Sequence, residues 1–193
     1  MKAYLGIDVG SVSTDLVLID EANNVLSKVY IRTSGQPIKA VQRGLKLLAE
    51  GVDLKNIEVA GVGTTGSARY LSAVIVGADV VKNEITAHAV AASNLVRDVK
   101  TIIEIGGQDS KLIILRDGIV VDFAMNTVCA AGTGSFLDQQ AARLNIPIED
   151  FGAYALRSKN PVRIAGRCSV FAETDMIHKQ QMGHKIEDLI AGL

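Results

Sequence analysis

The sequence of 193 residues has two cysteines, three prolines, no tryptophan and only 4% aromatic residues. Two cysteines are too few for a disulfide framework, and a stable Cys129–Cys168 disulfide is disfavoured in a reducing cytosol. Packing, catalysis and metal ligation therefore stay open as uses of the two thiols. The net charge of −1 gives no basic surplus for nucleic acid. With no apolar run near the roughly 18 residues of a membrane span and no signal-peptide pattern, we expect a cytoplasmic protein.

The sequence contains an internal repeat of two related stretches that are rich in apolar residues. The stretches GIDVGSVSTDLVLID, from Gly6, and IEIGGQDSKLIILRD, from Ile103, align when Ile7 is placed on Ile103, an offset of 96 residues. Each predicts an apolar strand that carries a carboxylate, a tight glycine turn and a second apolar strand. The alignment pairs Asp8 with Glu104, Gly10 with Gly106, Ser13 with Asp109 and Leu16 with Leu112.

Each copy is followed by a turn and a third strand, so each half is predicted to start as a three-strand meander. The turns are Asn23–Asn24 and Asp117–Gly118, which are good hairpin pairs. A buried strand is expected at IEVAGVGTTG. Helices are expected over Pro37 to Leu48, Asn83 to Val96 with Asn83 as cap, Thr133 to Leu144, Val170 to Met182, and at the chain's end. The pattern predicts an α/β chain of tandem mixed sheets, hinged near residues 97 to 100, with lobes at 1–97 and 98–193.

The residue types of the repeated turn favour phosphate binding. Glycine lets the backbone approach a ligand closely, and the N–H groups of a tight turn converge on phosphate oxygens. A carboxylate on the preceding strand can hold Mg²⁺, usually through water. One glycine hairpin is weak support, but two related copies, each with a carboxylate two residues before the first glycine, predict a nucleotide between two lobes.

Both cysteines precede a predicted helix. In NTVCAAGTGSFLDQQ, Cys129 comes before a glycine-rich turn and a helix start, and Cys168 comes before the helix near Val170. The positive end of a helix favours a thiolate and an anionic cluster. Small neighbours leave space for such a cluster, although two inert buried thiols remain the alternative. These neighbours are Ala130, Ala131, Gly132 and Gly166.

The stretch Gly132, Thr133 and Gly134 is either a plain loop before a helix or a phosphate contact. A helix N-terminus that begins with glycines can bind phosphate through its free amides. We expect nucleotide contact there.

Taken together, the motifs carry a family resemblance. The hairpins resemble the first and second phosphate motifs of the superfamily of acetate and sugar kinases, heat-shock chaperones and actin. Within it, IEIGGQDSK, NEITAHA, CAAGTGSFLD and GRCSVFAETD resemble the activators of 2-hydroxyacyl-CoA dehydratases, a family that includes ATPase subunits of benzoyl-CoA reductases. The match runs from residue 4 to about 193 and implies an actin-like, ribonuclease H-like fold.

The resemblance implies an ATP-driven, oxygen-sensitive electron-transfer protein of anaerobic metabolism. It implies a homodimer with one [4Fe–4S] cluster, held by Cys129 and Cys168 of both subunits, which supplies the usual four thiolates. The cofactors would be ATP, Mg²⁺ and this cluster. The partner would be a 2-hydroxyacyl-CoA dehydratase or a related acyl-CoA reductase, with reduced ferredoxin or flavodoxin as the electron donor.

The same resemblance assigns roles to the hairpin residues. Asp8 and Glu104 would position Mg²⁺ and water, and Gln108 or Asp109 would orient the attacking water. Hydrolysis would then change the angle between the lobes and move the cluster against the partner. The remaining nucleotide contacts would come from Gly10, Ser11, Ser13, Gly106, Gly107, Gly132, Thr133 and Gly134.

Two departures from the family pattern bear on these expectations. Glu104 stands where the family usually has Asp, which moves the charge outward by one methylene. The sequence ends at IEDLIAGL before any late glycine–glycine adenosine motif, so we expect an incomplete second lobe and weak ATP binding. A small-molecule kinase of the same fold and a non-enzymatic nucleotide-binding module are the alternative functions.

Overall fold

The computed structural model describes residues 1–126 and 132–193, so the predictions for Cys129, Ala130 and Ala131 lie outside the described residues. The chain forms two compact units. The first comprises Met1–Ile102 and Ile113–Asp122, and the second comprises Ile103–Leu112 and Phe123–Leu193. The expected lobe boundary at residues 97 and 98 stays a prediction.

A five-stranded mixed sheet forms the frame of the first unit. Its order is β3-β2-β1-β4-β5, in which β2 is antiparallel to β1 and β3 while β4 is parallel to β1 and β5. The predicted meander is therefore confirmed as β1 to β3. The strands are β1 Lys2–Val9, β2 Ser13–Asp20, β3 Val25–Arg32, β4 Glu58–Thr65 and β5 Val80–Val81.

The strand β4 is less buried than its apolar sequence predicts. Its first three residues, Glu58 to Ala60, are exposed. The reason is the length of β5, which pairs only with Gly63 and Thr64 and leaves the first half of β4 at the sheet edge. The prediction of a strand is confirmed, and the prediction that it is buried throughout is wrong.

The second sheet contains the other predicted meander, in the order β6-β7-β8. Its strands are β6 Thr101–Ile105, β7 Ser110–Arg116 and β8 Ile119–Asn126. Asp117 and Gly118, between β7 and β8, both have positive φ angles, of 53° and 76°. Both residue types tolerate this region well, which explains why the pair was recognisable as a turn.

The described residues contain all the predicted helices and two that the sequence did not indicate, α2 and α5. The helices are α1 Pro37–Glu50, α2 Arg69–Val76, α3 Glu84–Leu95, α4 Gly134–Arg143, α5 Ile148–Leu156, α6 Ser169–Gln181 and α7 Ile186–Gly192, with a short 3-10 helix at Leu54–Asn56. No helix within these ranges is both long and apolar enough to cross a membrane.

Local sequence explains where the confirmed helices begin. Pro37 opens α1, where its fixed φ suits a helix and its missing N–H costs nothing. The side chain of Asn83 caps α3 by accepting a hydrogen bond of 2.8 Å from the Thr86 amide. These are the two start signals that the sequence carried.

The core of the first unit follows from strand periodicity. Every second residue of β1 points inward, and the side chains of this row are nearly inaccessible, while Asp8 on the other face is partly exposed. Helix α1 covers the inward face of the sheet with residues spaced by one or two turns. The buried cluster consists of Ala3, Leu5, Ile7, Val9, Leu16, Leu18, Val41 and Leu48.

The second unit has its own apolar cluster, built from α4, α5 and α7. Its fully buried members are Ala141, Ile146, Phe151 and Ile190. Beside it, the Asp188 carboxylate in α7 ties down the loop after α5. It accepts hydrogen bonds from the Ser158 hydroxyl at 2.7 Å and from the Asn160 amide at 3.1 Å. The Ser158 hydrogen bond is the largest of the causes that lower the pKa of Asp188.

We predict that Asp188→Ala lowers the unfolding free energy of the protein at neutral pH, and that the loss depends on pH. The folded-state pKa lies below the ordinary value of 3.8, so the contribution is present above that value and disappears as the pH falls through the lower folded pKa. Urea unfolding of both proteins at a series of pH values measures it. Glu187→Ala, at the neighbouring position, is the control, and a difference that stays constant below pH 3.8 would contradict the assignment.

Candidate functional site

The first glycine hairpin connects β1 to β2 and is closed by a backbone bond. The Gly10 amide donates to the Ser13 carbonyl at 2.9 Å. The Gly10 carbonyl accepts a hydrogen bond of 2.9 Å from the Thr33 hydroxyl, which also lies 2.9 Å from the Thr14 hydroxyl. Both threonines are buried. The turn is therefore held by the residue that directly follows β3, and Ser11 lies at its exposed tip.

Oxygen-bearing side chains form a row across the outer face of the first sheet. Asp8 on β1 is the register partner of Asp15 on β2 and of Thr65 on β4, so the three side chains share one face. The Ser13 hydroxyl donates to Asp15 at 3.1 Å. Burial raises the pKa of the Asp15 carboxyl, and the Ser13 hydrogen bond opposes that effect. The row collects two carboxylates and a hydroxyl next to the turn.

Gly66 lets the chain after β4 pass close to Asp8. A Cβ atom at this position would lie 2.5 Å from the Val9 carbonyl oxygen and would also contact the Asp8 carboxylate. The φ angle of Gly66 is +91°, a conformation that favours glycine. The glycine is thus required by both space and backbone conformation.

The second hairpin, between β6 and β7, has the same closure. The Gly106 amide donates to the Asp109 carbonyl at 2.9 Å, at the positions that the repeat makes equivalent to Gly10 and Ser13. A Cβ at Gly106 would lie 2.9 Å from the Asp109 carboxylate and 3.1 Å from that of Glu104. Glycine therefore allows both carboxylates to approach the turn.

The charges of the second hairpin are compensated by a buried lysine. The Lys111 ammonium lies 2.9 Å from Glu104 Oε2 and 2.7 Å from Asp109 Oδ1, and only 3% of its side chain is exposed. A charge so deeply buried requires partners of this kind. The two predicted catalytic carboxylates of this hairpin are thus brought together, while Gln108 at the turn is exposed.

Helix α4 begins against the second hairpin. Its first amides are used there, since Gly134 donates to the Gly106 carbonyl at 2.8 Å and Ser135 donates to the Gly107 carbonyl at 3.1 Å. Thr133 is the N-cap residue and is completely buried. The expected nucleotide contact at Gly132, Thr133 and Gly134 stays a prediction, and the Gly134 amide already has a protein acceptor.

Cys168 is the N-cap residue of α6 and carries a free, half-buried thiol. Its carbonyl accepts the first helical bond from Ala172 at 2.9 Å, so the thiol lies at the positive end of the helix. A Cβ built on Gly166, two residues earlier, meets no heavy atom within 4 Å. This open space and the helix end suit a thiolate ligand of a cluster.

The carboxylates of the described residues suit Mg²⁺, which needs few protein ligands, better than a metal ion that is held by protein side chains alone. Within residues 1–126 and 132–193, no group of three or more His, Cys, Asp or Glu side chains could hold a metal ion. Mg²⁺ usually takes one or two carboxylates, with water and substrate phosphates as its other ligands. Asp8 and Asp15 provide that number, and the buried Thr65 hydroxyl beside them has no hydrogen-bond partner.

Asp15, Lys111 and Thr65 are the residues that the sequence analysis missed. The signal for the first two was present, because the offset of 96 residues aligns Asp15 with Lys111. Thr65 had no comparable signal, since its place beside Asp8 depends on the register between β1 and β4.

A sequence model of the BadF/BadG/BcrA/BcrD ATPase family matches residues 5–193. The chain belongs to this ATPase family. The resemblance to dehydratase activators is confirmed. The family's description states that its members are ATPases, so the chain is an ATP-hydrolysing protein.

Individual relatives support the same assignment. The (R)-2-hydroxyglutaryl-CoA dehydratase activating ATPase of Acidaminococcus fermentans is 34% identical over all of this chain and 74% of its own length. The crystal structure of that dehydratase's component A superposes with a TM-score of 0.87 at 32% identity, over 100% of this chain and 73% of the other. The activator of the 2-hydroxyisocaproyl-CoA dehydratase from Clostridium difficile, solved with bound ADPNP, also gives 0.87 at 32% identity, over 98% and 70% of the two chains.

A more distant structure confirms the fold class. A ROK family glucokinase from Streptomyces griseus superposes with a TM-score of 0.52 at 12% identity, over 97% of this chain and 73% of the other. The fold is that of the actin-like ATPases, as the paired phosphate hairpins predicted. The chain spans 70% to 74% of the length of these proteins.

We predict that Lys111→Met lowers the unfolding free energy by about 2 to 4 kcal/mol, because it leaves Glu104 as an unpaired, partly buried charge. The value is below that of a fully buried pair because 37% of the Asp109 side chain is exposed and its charge is screened. Chemical denaturation measures the loss. Lys100→Met removes an exposed lysine from the same sheet region as a control, and an equal loss in both variants would show that the ion pairs contribute nothing.

Proposed function

We propose that this ATPase is an iron–sulfur activator that passes one low-potential electron to a 2-hydroxyacyl-CoA dehydratase or a related acyl-CoA reductase. The observation that carries the proposal is the free thiol of Cys168 at the N-terminus of α6. It belongs to the same compact unit as the second phosphate hairpin. A purely phosphoryl-transferring enzyme has no use for a thiol held in this way.

The nucleotide part of the proposal is supported by the two hairpins and by a relative. The activator from Clostridium difficile was solved with ADPNP, an ATP analogue. Each hairpin of this chain provides a glycine turn with a carboxylate two residues before its first glycine. In our proposal Asp8 would hold Mg²⁺, and Glu104, which is paired with Lys111, would act with it in positioning the metal and water. Gln108 orients the attacking water, because the Asp109 carboxylate is paired with Lys111 while Gln108 is exposed.

The cluster part of the proposal depends on Cys168 and on Cys129, which lies outside the described residues. A [4Fe–4S] cluster usually takes four thiolates, and a homodimer of this chain has four. When bound, the cluster supplies one-electron reduction. The positive end of α6 stabilises negative charge next to Cys168.

The partners in this proposal follow from the relatives' activities. The Acidaminococcus fermentans relative activates a 2-hydroxyglutaryl-CoA dehydratase, so the electron acceptor proposed here is an enzyme of that class. A small reduced ferredoxin or flavodoxin in the cytoplasm is the proposed donor. Hydrolysis of ATP would supply the free energy that makes transfer at low potential effectively one-directional.

Anaerobic reconstitution with iron and sulfide tests the proposal. We expect about four irons per dimer, because the four cysteines of a homodimer would hold one [4Fe–4S] cluster. Cys168→Ala should abolish iron retention, whereas Ser169→Ala at the next helical position should retain it. Full iron retention by Cys168→Ala, measured together with unchanged secondary structure, would refute the assignment of the thiol.

A further inference from the structure

The segment that leads into Cys168 carries charges of one sign. Residues 151–172 contain four Arg or Lys side chains and no Asp or Glu, although the net charge of the whole chain is −1. All four basic residues are exposed. Such a run on a nearly neutral chain produces a local field that attracts groups of the opposite charge. The four residues are Arg157, Lys159, Arg163 and Arg167.

The part of this segment just before α6 is fixed in place without a helix or strand. The Val162 amide donates a hydrogen bond of 3.1 Å to the Asp188 carbonyl, and Val162 itself is buried. The Ala165 amide donates a hydrogen bond of 3.0 Å to the Asp175 carboxylate of α6. Arg163 lies between these two anchors. A backbone that is already ordered loses less entropy when a partner binds to it.

This segment and α6 line a cavity of about 460 Å³. Its charged residues are Arg163, Lys179 and Asp175, and the Asp175 carboxylate already accepts the Ala165 amide. Within the part of the chain that the structure describes, neither the Arg163 guanidinium nor the Lys179 ammonium has an ion-pair partner. The cavity therefore presents two cations against one carboxylate. Ile164, Ala165 and Gly166 complete its lining.

The charge of the cavity suits a carboxylate group. A guanidinium offers planar N–H donors that match the two oxygens of a carboxylate, and the ammonium of Lys179 adds a second cation. Asp175 follows Cys168, the N-cap residue of α6, by seven residues, which corresponds to about 10 Å along the helix axis. A partner whose carboxylate enters the cavity would therefore lie beside the thiol.

The overall charge of the chain favours a protein over a nucleic acid as this partner. With a net charge of −1 and a sequence pI of about 6.3, the chain lacks the general basic surplus that nucleic-acid binding uses. A folded protein can instead present a few carboxylates to one local basic surface, which gives orientation and a fast encounter.

We propose that Arg163, Arg167 and Lys179 form a docking surface for the electron-donating protein, whose own surface presents carboxylates. One carboxylate of that protein is seated in the cavity between Arg163 and Lys179. The inference rests on the proposed function, because this chain needs an electron donor only if Cys168 takes part in cluster binding. The docked donor passes one electron to the cluster and is itself oxidised by one electron.

Binding of a flavodoxin with a negative net charge tests the surface. Biolayer interferometry with the full chain should give a Kd that rises with salt concentration, because salt screens exposed charges. At low salt, Arg163→Glu and Lys179→Glu should each raise the Kd at least about tenfold, and Arg163→Lys should stay close to the parent protein. Lys46→Glu makes the same change of net charge at an exposed position of α1 and is the matched control.

Three results of this titration would overturn the assignment. They are a Kd that does not depend on salt, an unchanged Kd in Arg163→Glu, and an equal rise of the Kd in Lys46→Glu. Inorganic phosphate and a single-stranded DNA oligonucleotide are the competing probes, at matched ionic strength. If either binds the parent protein more tightly than the flavodoxin does, and Arg163→Glu abolishes that binding, the surface belongs to a phosphate-bearing ligand and the proposal is wrong.

Iron-free and reconstituted protein together separate this inference from the proposed function. If the flavodoxin binds in the expected pattern but reconstitution leaves no iron on the protein, the electron-transfer function fails and the docking surface stands. In protein that retains iron, Arg163→Glu should slow reduction by the flavodoxin at least about fivefold and leave reduction by dithionite, a small reductant, unchanged. Equal effects on both reductants would refute the docking surface.

Discussion

A single backbone hydrogen bond closes each glycine hairpin, and the positions of the other candidate residues depend on it. Gly10 donates to Ser13, and Gly106 donates to Asp109, both at 2.9 Å. This closure fixes the register of the two strands, so the carboxylate two residues before the glycine must lie next to the turn amides. A shift of one residue would turn Asp8 toward the apolar core and Ile7 toward solvent. Burial of the hydrophobic face of the sheet therefore fixes the strand register that keeps Asp8 on the outer face.

Around this shared turn, the two copies differ in the residue five places after the first glycine, which is Asp15 in the first hairpin and Lys111 in the second. The second hairpin contains its own cation, a lysine whose side chain is almost completely buried between two carboxylates. The first hairpin presents two carboxylates and an unsatisfied hydroxyl. The duplicated backbone thus provides one turn with a lysine between two carboxylates and one with a carboxylate at the equivalent position.

Much of the fold was predictable because its elements carry local signals. The turns at Asn23 and Asp117 have the positive φ angles that their residue types tolerate, and Asn83 caps α3 as its position predicted. Helices α2 and α5 were missed, since Ala68 and Pro147 precede them without a side-chain cap. The Lys111 ion pairs and the position of Thr65 depend on strand register, which the pattern of apolar and polar residues along the sequence does not determine.

In the proposed function, phosphate hairpins and a cluster-binding thiol act together in one protein. The most direct measurement is the electron paramagnetic resonance spectrum of the anaerobic, reduced protein with and without MgATP. We expect a cluster signal that changes shape on addition of MgATP in the parent protein, and does not change in Asp8→Ala. A cluster signal that is identical with and without MgATP, under conditions where calorimetry shows the nucleotide bound, would contradict it.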